Sequence, residues 1–174
     1  GGKDSLIVLD DADMERATSA ASFGAFFHQG QICMSVEKVL VHEKIYDDFL
    51  QKFVTRAGKI KTGNTAEKSN TNGPLINNRQ VERVKSQIDD AINKGAKVML
   101  GGGVNGRFVE PTILTNVTPD MDVWRDETFG PVAVVASFKT DAEAIILNND
   151  TEYGLSCGII TRNEQRALDM SQHL

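Results

Sequence analysis

The strongest indication of the fold is the sequence LIVLDDADMERATSAASFGAFFHQGQICMSVEKVLVH at residues 6–42. Leu6–Leu9 is a short apolar run followed by two aspartates, which is typical of a buried strand that enters a turn. Apolar and small residues then recur at helical spacing over Met14–Gln29, and Gly30 is the expected helix end. Val36–His42 alternates apolar with charged residues and predicts the next strand. A strand, a helix and a strand in this order favour a parallel pair.

The same alternation continues through the rest of the chain. Further helices are predicted over Ile45–Ala57, Arg79–Asn93 and Asp141–Asn148, and from Asn163 onward. Further strands are predicted at Lys97–Leu100, Phe108–Leu114, Val132–Phe138 and Cys157–Thr161. The polar stretch Thr62–Asn72 predicts a surface loop. The predicted class is therefore α/β, with a mainly parallel sheet and flanking helices.

The composition predicts a soluble globular domain. The chain has 174 residues, of which 40% are hydrophobic and 25% charged, enough for one sizeable core. A net charge of −5 without a basic cluster argues against a nucleic-acid or anionic-membrane partner. No apolar run approaches the roughly 20 residues of a transmembrane helix. Two cysteines are too few for a disulfide framework, so we expect a reducing, cytoplasmic location.

The first candidate for chemistry is Cys33 in the segment Gln29–Cys33, which joins a helix end to a strand. A thiol in such a loop can be exposed, and backbone N–H groups can stabilise its thiolate. The alternative is a packing role, which local spacing alone favours because free cysteines are among the most buried residues. Cys157 lies in a predicted buried strand and is assigned to the core. No set of His, Cys, Asp and Glu has metal-ligand spacing, so no metal site is predicted.

The second candidate is the acidic, glycine- and proline-containing segment Asp126–Pro131, which leads into a predicted strand. A carboxylate here can accept hydrogen bonds from sugar hydroxyls, and Phe129 can lie against a flat ring. The alternative is an acidic turn with a core phenylalanine. Local sequence leaves both interpretations open.

Three motifs in this order resemble the aldehyde dehydrogenase superfamily along essentially the whole chain. Gly30–Cys33 is similar to the family's Gly-Gln-x-Cys signature, and Lys38 stands where a basic residue, usually arginine, follows it. Glu127–Pro131 is similar to the Glu-x-Phe-Gly-Pro motif. Asn148–Ser156 resembles the Asn-x-Thr-x-Tyr-Gly-Leu segment.

The resemblance implies a reaction and a set of site residues. Cys33 would attack a small-molecule aldehyde, hydride would pass to NAD or NADP, and water would hydrolyse the resulting thioester. The backbone N–H of Cys33 would form part of the oxyanion hole. Glu127 would hold the nicotinamide ribose and Phe129 would pack beside the nicotinamide. Gln80 and Arg83 match family positions that also reach this ribose.

The resemblance also implies that residues 1–174 are a catalytic domain truncated at both ends. The family's Glu-Leu-Gly-Gly-Lys signature corresponds to Gly1-Gly2-Lys3, so its general-base glutamate would lie two residues upstream. The dinucleotide-binding domain is expected to be absent. We expect the isolated fragment to be inactive and to associate through uncovered sheet edges, and the full-length protein to be a homo-oligomer.

The residues around Cys33 suggest a substrate class. Residues His28–Ser35 are similar to aromatic-aldehyde members of the family, such as benzaldehyde, vanillin and salicylaldehyde dehydrogenases. The expected substrate is therefore an aromatic aldehyde. Two alternatives stay open: a coenzyme A-acylating aldehyde dehydrogenase, in which a thiol takes the acyl group, and a folded module without catalysis.

Overall fold

The computed structural model describes residues 1–174 and is built around a six-stranded sheet. The strands are β1 (Asp4–Val8), β2 (Val36–His42), β3 (Lys97–Leu100), β4 (Val104–Asn105), β5 (Phe108–Val109), β6 (Thr112–Thr115), β7 (Val132–Phe138) and β8 (Cys157–Ile160). Their order in the sheet is β3-β6-β7-β2-β1-β8, and β4 and β5 form a separate hairpin. All neighbours in the large sheet are parallel except β3 and β6. The predicted α/β class is confirmed.

Six α-helices accompany the strands. They are α1 (Met14–Phe26), α2 (Tyr46–Ala57), α3 (Asn78–Asn93), α4 (Asp122–Arg125), α5 (Asp141–Asn149) and α6 (Glu164–Ser171). Side chains cap several of them, because a short polar side chain accepts a free N–H in the first helical turn. Asp13, for example, accepts from Arg16 N, and Asn77 accepts from Gln80 N, both at 2.9 Å. None of the helices is both long and apolar enough to cross a membrane.

The helices cover the two faces of the sheet. Alternate residues of a strand point to opposite faces, so each central strand contributes to two cores. Leu6 and Val8 pack in a cluster of 14 buried residues with α1 and α2. Ile7 and Leu40 pack in a cluster of 19 buried residues with α3 and α5. This two-sided burial explains why β1 is an uninterrupted apolar run after Ser5.

The first helix ends earlier than the sequence predicts. α1 stops at Phe26, whereas the helical spacing was expected to reach Gln29. His28, Gln29 and Gly30 all have left-handed backbone angles, with φ of 53°, 58° and 66°. These three residues redirect the chain towards β2. Apolar spacing carries no information on such a backbone reversal, and for this reason the predicted helix end is wrong.

Two predicted strands differ from the structure. The segment 108–114 was predicted as one strand but divides at Glu110 and Pro111, because proline has no N–H to donate to a sheet. Its first part pairs with β4 and its second part, β6, joins the large sheet. The strand at Cys157 exists, but it is not buried: β8 is an edge strand and its residues are half-buried.

Candidate active site

Four loops meet along the edge of the sheet that is formed by the amino ends of its parallel strands. Residues 1–3 precede β1, residues 31–35 precede β2, residues 126–131 precede β7 and residues 150–156 precede β8. Because these four strands are mutually parallel and consecutive in the sheet, their amino ends lie side by side. We call residues 31–35 the cysteine loop and residues 126–131 the acidic loop. The structure therefore brings these two loops, nearly 100 residues apart in sequence, to the same place.

Cys33 is exposed at this edge. Its loop is closed by a hydrogen bond of 2.9 Å from Ser35 N to Ile32 O. Gly2 lies directly against this loop: a Cβ added to Gly2 would lie 2.4 Å from the carbonyl oxygen of Cys33. Only glycine allows this close approach. The thiol is thus accessible while its backbone is held in place, as a nucleophile requires.

Gly30 joins the cysteine loop to the acidic loop. Its φ of +66° is left-handed, and a Cβ added there would lie 2.1 Å from the carbonyl oxygen of Gly130. The two glycines therefore let two stretches of backbone touch. The first and second sequence motifs are one structural unit.

Glu127 points towards the first residues of the chain. Its Oε1 accepts a hydrogen bond of 2.9 Å from Gly2 N, whereas its Oε2 accepts none. A Cβ added to Gly1 would lie 2.9 Å from Cε1 of Tyr153 and 3.0 Å from Glu127 Oε2. Tyr153 belongs to the third motif, so all three motifs contribute to this edge. Phe129, two residues on, is partly exposed and has a left-handed φ of 52°.

Gln80 and Arg83 lie beside the same loop and hold its backbone. Gln80 Nε2 donates to the carbonyl oxygens of Thr128 and Phe129, at 2.9 and 2.8 Å. Arg83 Nε donates to the carbonyl oxygen of Glu127 at 3.0 Å. In this structure the two side chains therefore fix the shape of the acidic loop. Direct contact of either with a cofactor stays a prediction.

A buried ion pair beneath the site was missed by the sequence analysis. Lys3 Nζ lies 2.6 Å from Glu37 Oε2. Glu37 also accepts the backbone N–H groups of Thr128 and Phe129, each at 2.9 Å. Burial lowers the pKa of Lys3, and the charge of Glu37 opposes this shift. The signal in the sequence was Glu37, a charged residue at the start of a predicted strand.

Lys38 anchors the loop that carries Tyr153. Its Nζ donates to the carbonyl oxygen of Asp150 at 2.8 Å and lies 4.3 Å from the ring centre of Trp124. The Trp124 indole N–H donates in turn to Asp150 Oδ2 at 2.6 Å. Burial lowers the pKa of Lys38 to about 8, assisted by the charge of Lys3. The basic residue of the cysteine motif is thus a structural anchor in this chain.

The sequence analysis also did not identify two exposed phenylalanines as candidate site residues. Phe23 and Phe27 stack on the outer side of α1 and just beyond it, with ring centroids 4.7 Å apart. Their side chains are 64% and 54% exposed, which is unusual for a stacked aromatic pair. Phe27 stands six residues before Cys33 in the sequence. Their four-residue spacing in a predicted helix was the available signal.

The second cysteine, Cys157, is the first residue of β8. Cys157 lines a cavity of about 840 Å³, together with Lys3, Tyr153 and residues of the chain end such as His173. Cys33 does not line this cavity. Burial raises the pKa of Cys157 to about 11, so its thiol is protonated at neutral pH. His28 and His173 are exposed, and no group of three His, Cys, Asp or Glu side chains is placed to hold a metal ion.

The fold and the site together define an α/β domain that exposes a cysteine next to a carboxylate-bearing loop. The family model described as "Aldehyde dehydrogenase family" matches residues 1–174. The chain belongs to the aldehyde dehydrogenase family, which confirms the resemblance found in the sequence.

Relatives and solved structures agree with this assignment. The chain is 42% identical to vanillin dehydrogenase of Pseudomonas fluorescens over 174 residues, which are 100% of this chain and 36% of that protein. It is 46% identical to salicylaldehyde dehydrogenase of Pseudomonas putida over 169 residues, 97% of this chain and 35% of that protein. The structure of betaine aldehyde dehydrogenase from Staphylococcus aureus in complex with NAD+ matches with a TM-score of 0.96 and 36% identity, over 100% of this chain and 36% of that one. The chain spans about a third of the length of the curated relatives it matches.

Proposed function

We propose that residues 1–174 are the cysteine-bearing part of the catalytic domain of an NAD(P)-dependent aldehyde dehydrogenase. The observation that carries the proposal is the position of Cys33, which is exposed and lies in a loop fixed by Gly2 and by the Gly30–Gly130 contact. Since the chain spans about a third of its relatives, we further propose that the cofactor-binding domain lies outside it. The isolated chain is then expected to have no turnover, because the domain that would bind most of the cofactor is not part of it.

In the proposed reaction, the Cys33 thiolate attacks the carbonyl carbon of an aldehyde and forms a thiohemiacetal. The backbone N–H of Cys33 stabilises the negative charge that develops on the former carbonyl oxygen. Loss of hydride from the carbon gives a thioester on Sγ. Water then attacks the thioester, releases the carboxylic acid and returns the thiolate. Aldehyde, NAD(P)+ and water are thus converted to acid, NAD(P)H and a proton.

The acidic loop fits the sugar and ring of a nicotinamide nucleotide. Glu127 has one carboxylate oxygen, Oε2, without a protein donor, and this oxygen can accept a ribose hydroxyl. Phe129 is partly exposed beside it and offers a flat apolar surface. When bound, NAD(P)+ would supply the hydride acceptor. Gln80 and Arg83 would keep the loop in the shape that presents both groups.

We propose an aromatic aldehyde as the substrate. The stacked, exposed pair Phe23 and Phe27 offers aromatic surface and precedes the cysteine loop by a few residues in the sequence. Aromatic rings pack favourably against such a pair. The relatives named vanillin and salicylaldehyde dehydrogenase support the same class. The full-length enzyme should favour benzaldehyde over a short aliphatic aldehyde in kcat/KM, and Phe27→Ala should reduce this preference.

The test of the reaction is the full-length protein with Cys33→Ser, assayed by NAD(P)H absorbance with benzaldehyde. We expect a loss of at least about a thousandfold, as for the removal of a covalent nucleophile in other enzymes. Cys157→Ser is the matched control and should keep wild-type turnover. Analysis of the product as free acid or as a coenzyme A thioester distinguishes hydrolysis from acylation. Full turnover by Cys33→Ser would refute the proposal.

The oligomeric state and the cellular location are predicted from the sequence alone. We propose that the full-length protein is a cytoplasmic homo-oligomer. Sedimentation of the purified protein tests the oligomeric state, and cell fractionation tests the location. A monomer at micromolar concentration, or recovery from another compartment, would contradict them.

A further inference from the structure

We propose that Lys3 and Glu37 are a positioning pair for the reaction, because they hold in place the acidic loop that carries Glu127 and Phe129. Neither residue is expected to touch aldehyde or cofactor. The inference rests on the proposed function, since it assigns the pair a role in cofactor binding at that same site.

Glu37 connects β2, the strand that follows the cysteine loop, to the acidic loop. It lies on β2, four residues after Cys33, and its carboxylate is buried. Thr128 N donates to Glu37 Oε1 and Oε2 at 3.0 and 2.9 Å, and Phe129 N donates to Oε1 at 2.9 Å. Hydrogen bonds to an ionised acceptor are roughly twice as strong as neutral ones. The position of the loop is therefore set by one carboxylate on the strand that follows the nucleophile.

Phe129 needs such a support. Its φ of 52° is left-handed, which a residue with a Cβ adopts only when surrounding contacts impose it. Two contacts fix its peptide groups: Glu37 accepts its N–H, and Gln80 donates to its carbonyl oxygen. Without Glu37 one of the two contacts is lost. The loop can then relax to a right-handed or extended conformation that turns the Phe129 ring away.

Lys3, the residue just before β1, completes the arrangement. Besides Glu37, its Nζ donates to the carbonyl oxygen of Asp126 at 2.9 Å and to Thr128 Oγ1 at 3.2 Å. Its neighbour Gly2 donates to Glu127 and lies against the carbonyl oxygen of Cys33. A shift of Lys3 would therefore move the acidic loop and the cysteine loop relative to each other. The pair thus links residues 1–3 to the acidic loop and to β2.

A merely structural ion pair would behave differently. Breaking a buried pair at one partner leaves an uncompensated charge and destabilises the fold, whereas neutralising both partners removes that cost. Stability is then restored by the double substitution. The loop contacts are not restored, because a glutamine at position 37 offers one acceptor oxygen where the carboxylate offers two.

The experiment compares four full-length proteins: wild type, Glu37→Gln, the double variant Lys3→Met with Glu37→Gln, and Asp141→Asn. Asp141 belongs to a separate ion pair with Arg166 and is the matched control. Melting temperature, kcat and KM for NAD(P)+ are measured for each. We expect both Glu37 variants to raise KM by about ten- to a hundredfold, the cost of misplacing a binding group by about an ångström. The double variant should regain the melting temperature that Glu37→Gln loses, and Asp141→Asn should change only the melting temperature.

A fifth protein, Glu37→Asp, keeps the charge but shortens the side chain by one methylene. It should raise KM while keeping most of the melting temperature, so the test holds even where Glu37→Gln fails to fold. A wild-type KM in the double variant or in Glu37→Asp would overturn the positioning role. Wild-type protein without any cofactor-dependent aldehyde oxidation would instead refute the proposed function, and the inference with it.

Discussion

Replacing Gly30 by alanine tests the contact between the cysteine loop and the acidic loop. Two costs follow from the structure. A residue with a Cβ at a φ of +66° loses about 1 kcal/mol relative to glycine. The new Cβ would also lie 2.1 Å from the carbonyl oxygen of Gly130 and 3.0 Å from that of Ala25. Because both partners are backbone, relief of the overlap requires a shift of a loop, which costs about 1–3 kcal/mol.

Gly106→Ala is the matched control for the first of these costs. Gly106 has a similar φ of +58°, but a Cβ added there meets nothing within 4 Å. We expect Gly106→Ala to lower the free energy of unfolding by about 1 kcal/mol and Gly30→Ala by about 2–4 kcal/mol. For a chain of this size the larger loss corresponds to about 4–16 °C in melting temperature. The difference between the two variants measures the contact with Gly130.

Urea denaturation of the 174-residue chain, followed by circular dichroism, gives both free energies. The rate of Cys33 alkylation in the folded chain provides a second, local readout. It should change in Gly30→Ala, where the loop is displaced, and stay at the wild-type value in Gly106→Ala. Equal stability losses in the two variants would refute the close approach of the loops.

Three further predictions concern the thiols and the anchor of the third loop. Iodoacetamide at neutral pH should modify the exposed Cys33 much faster than Cys157, whose pKa burial raises to about 11; peptide mass spectrometry measures both rates, and equal rates would contradict the site. Burial lowers the pKa of Lys38 from 10.5 to about 8, so the unfolded chain binds more protons between these values and the free energy of unfolding should rise with pH there. In Lys38→Met this rise should be smaller in urea titrations at pH 8 and 10, and an unchanged slope would exclude Lys38 as its source. Trp124→Phe removes both the hydrogen bond to Asp150 and part of a buried indole, and should cost at least about 1 kcal/mol in the same assay; no loss would show that the bond and the indole packing are both dispensable.

The sequence predicted the layered fold because apolar periodicity reports directly on burial. The apolar runs Leu6–Val8 of β1 and Val132–Val135 of β7, and the residues Val81, Val84 and Ile88 of α3, are all buried. Periodicity does not report on chain reversals, which depend on a few backbone angles. The left-handed His28 and Gln29 have no signal of this kind, and the predicted end of α1 was therefore wrong.

Of the site, the sequence predicted the residues proposed to carry the chemistry but not the buried ion pair beneath them. Cys33, Glu127 and Phe129 stand in short motifs that can be recognised without a structure. Glu37 and Lys3 are separated by 34 positions, and only the pairing of β1 with β2 makes them neighbours. A buried ion pair is a property of the sheet order. It becomes visible only when the strands are assembled.

The sheet order also explains which parts of the chain can change the geometry of the site. Neighbouring strands are about 4.8 Å apart, so the loops before β7, β2, β1 and β8 follow one another at strand spacing along the edge. β1 is buried throughout, and β2 is buried except at Val36, so the strands themselves are rigid supports. The distance between thiol and carboxylate can then change only through the loops. It is set by the few contacts that join one loop to the next, the Gly30 approach to Gly130 and the bonds of Glu37, and perturbing these contacts should alter the site while the sheet stays intact.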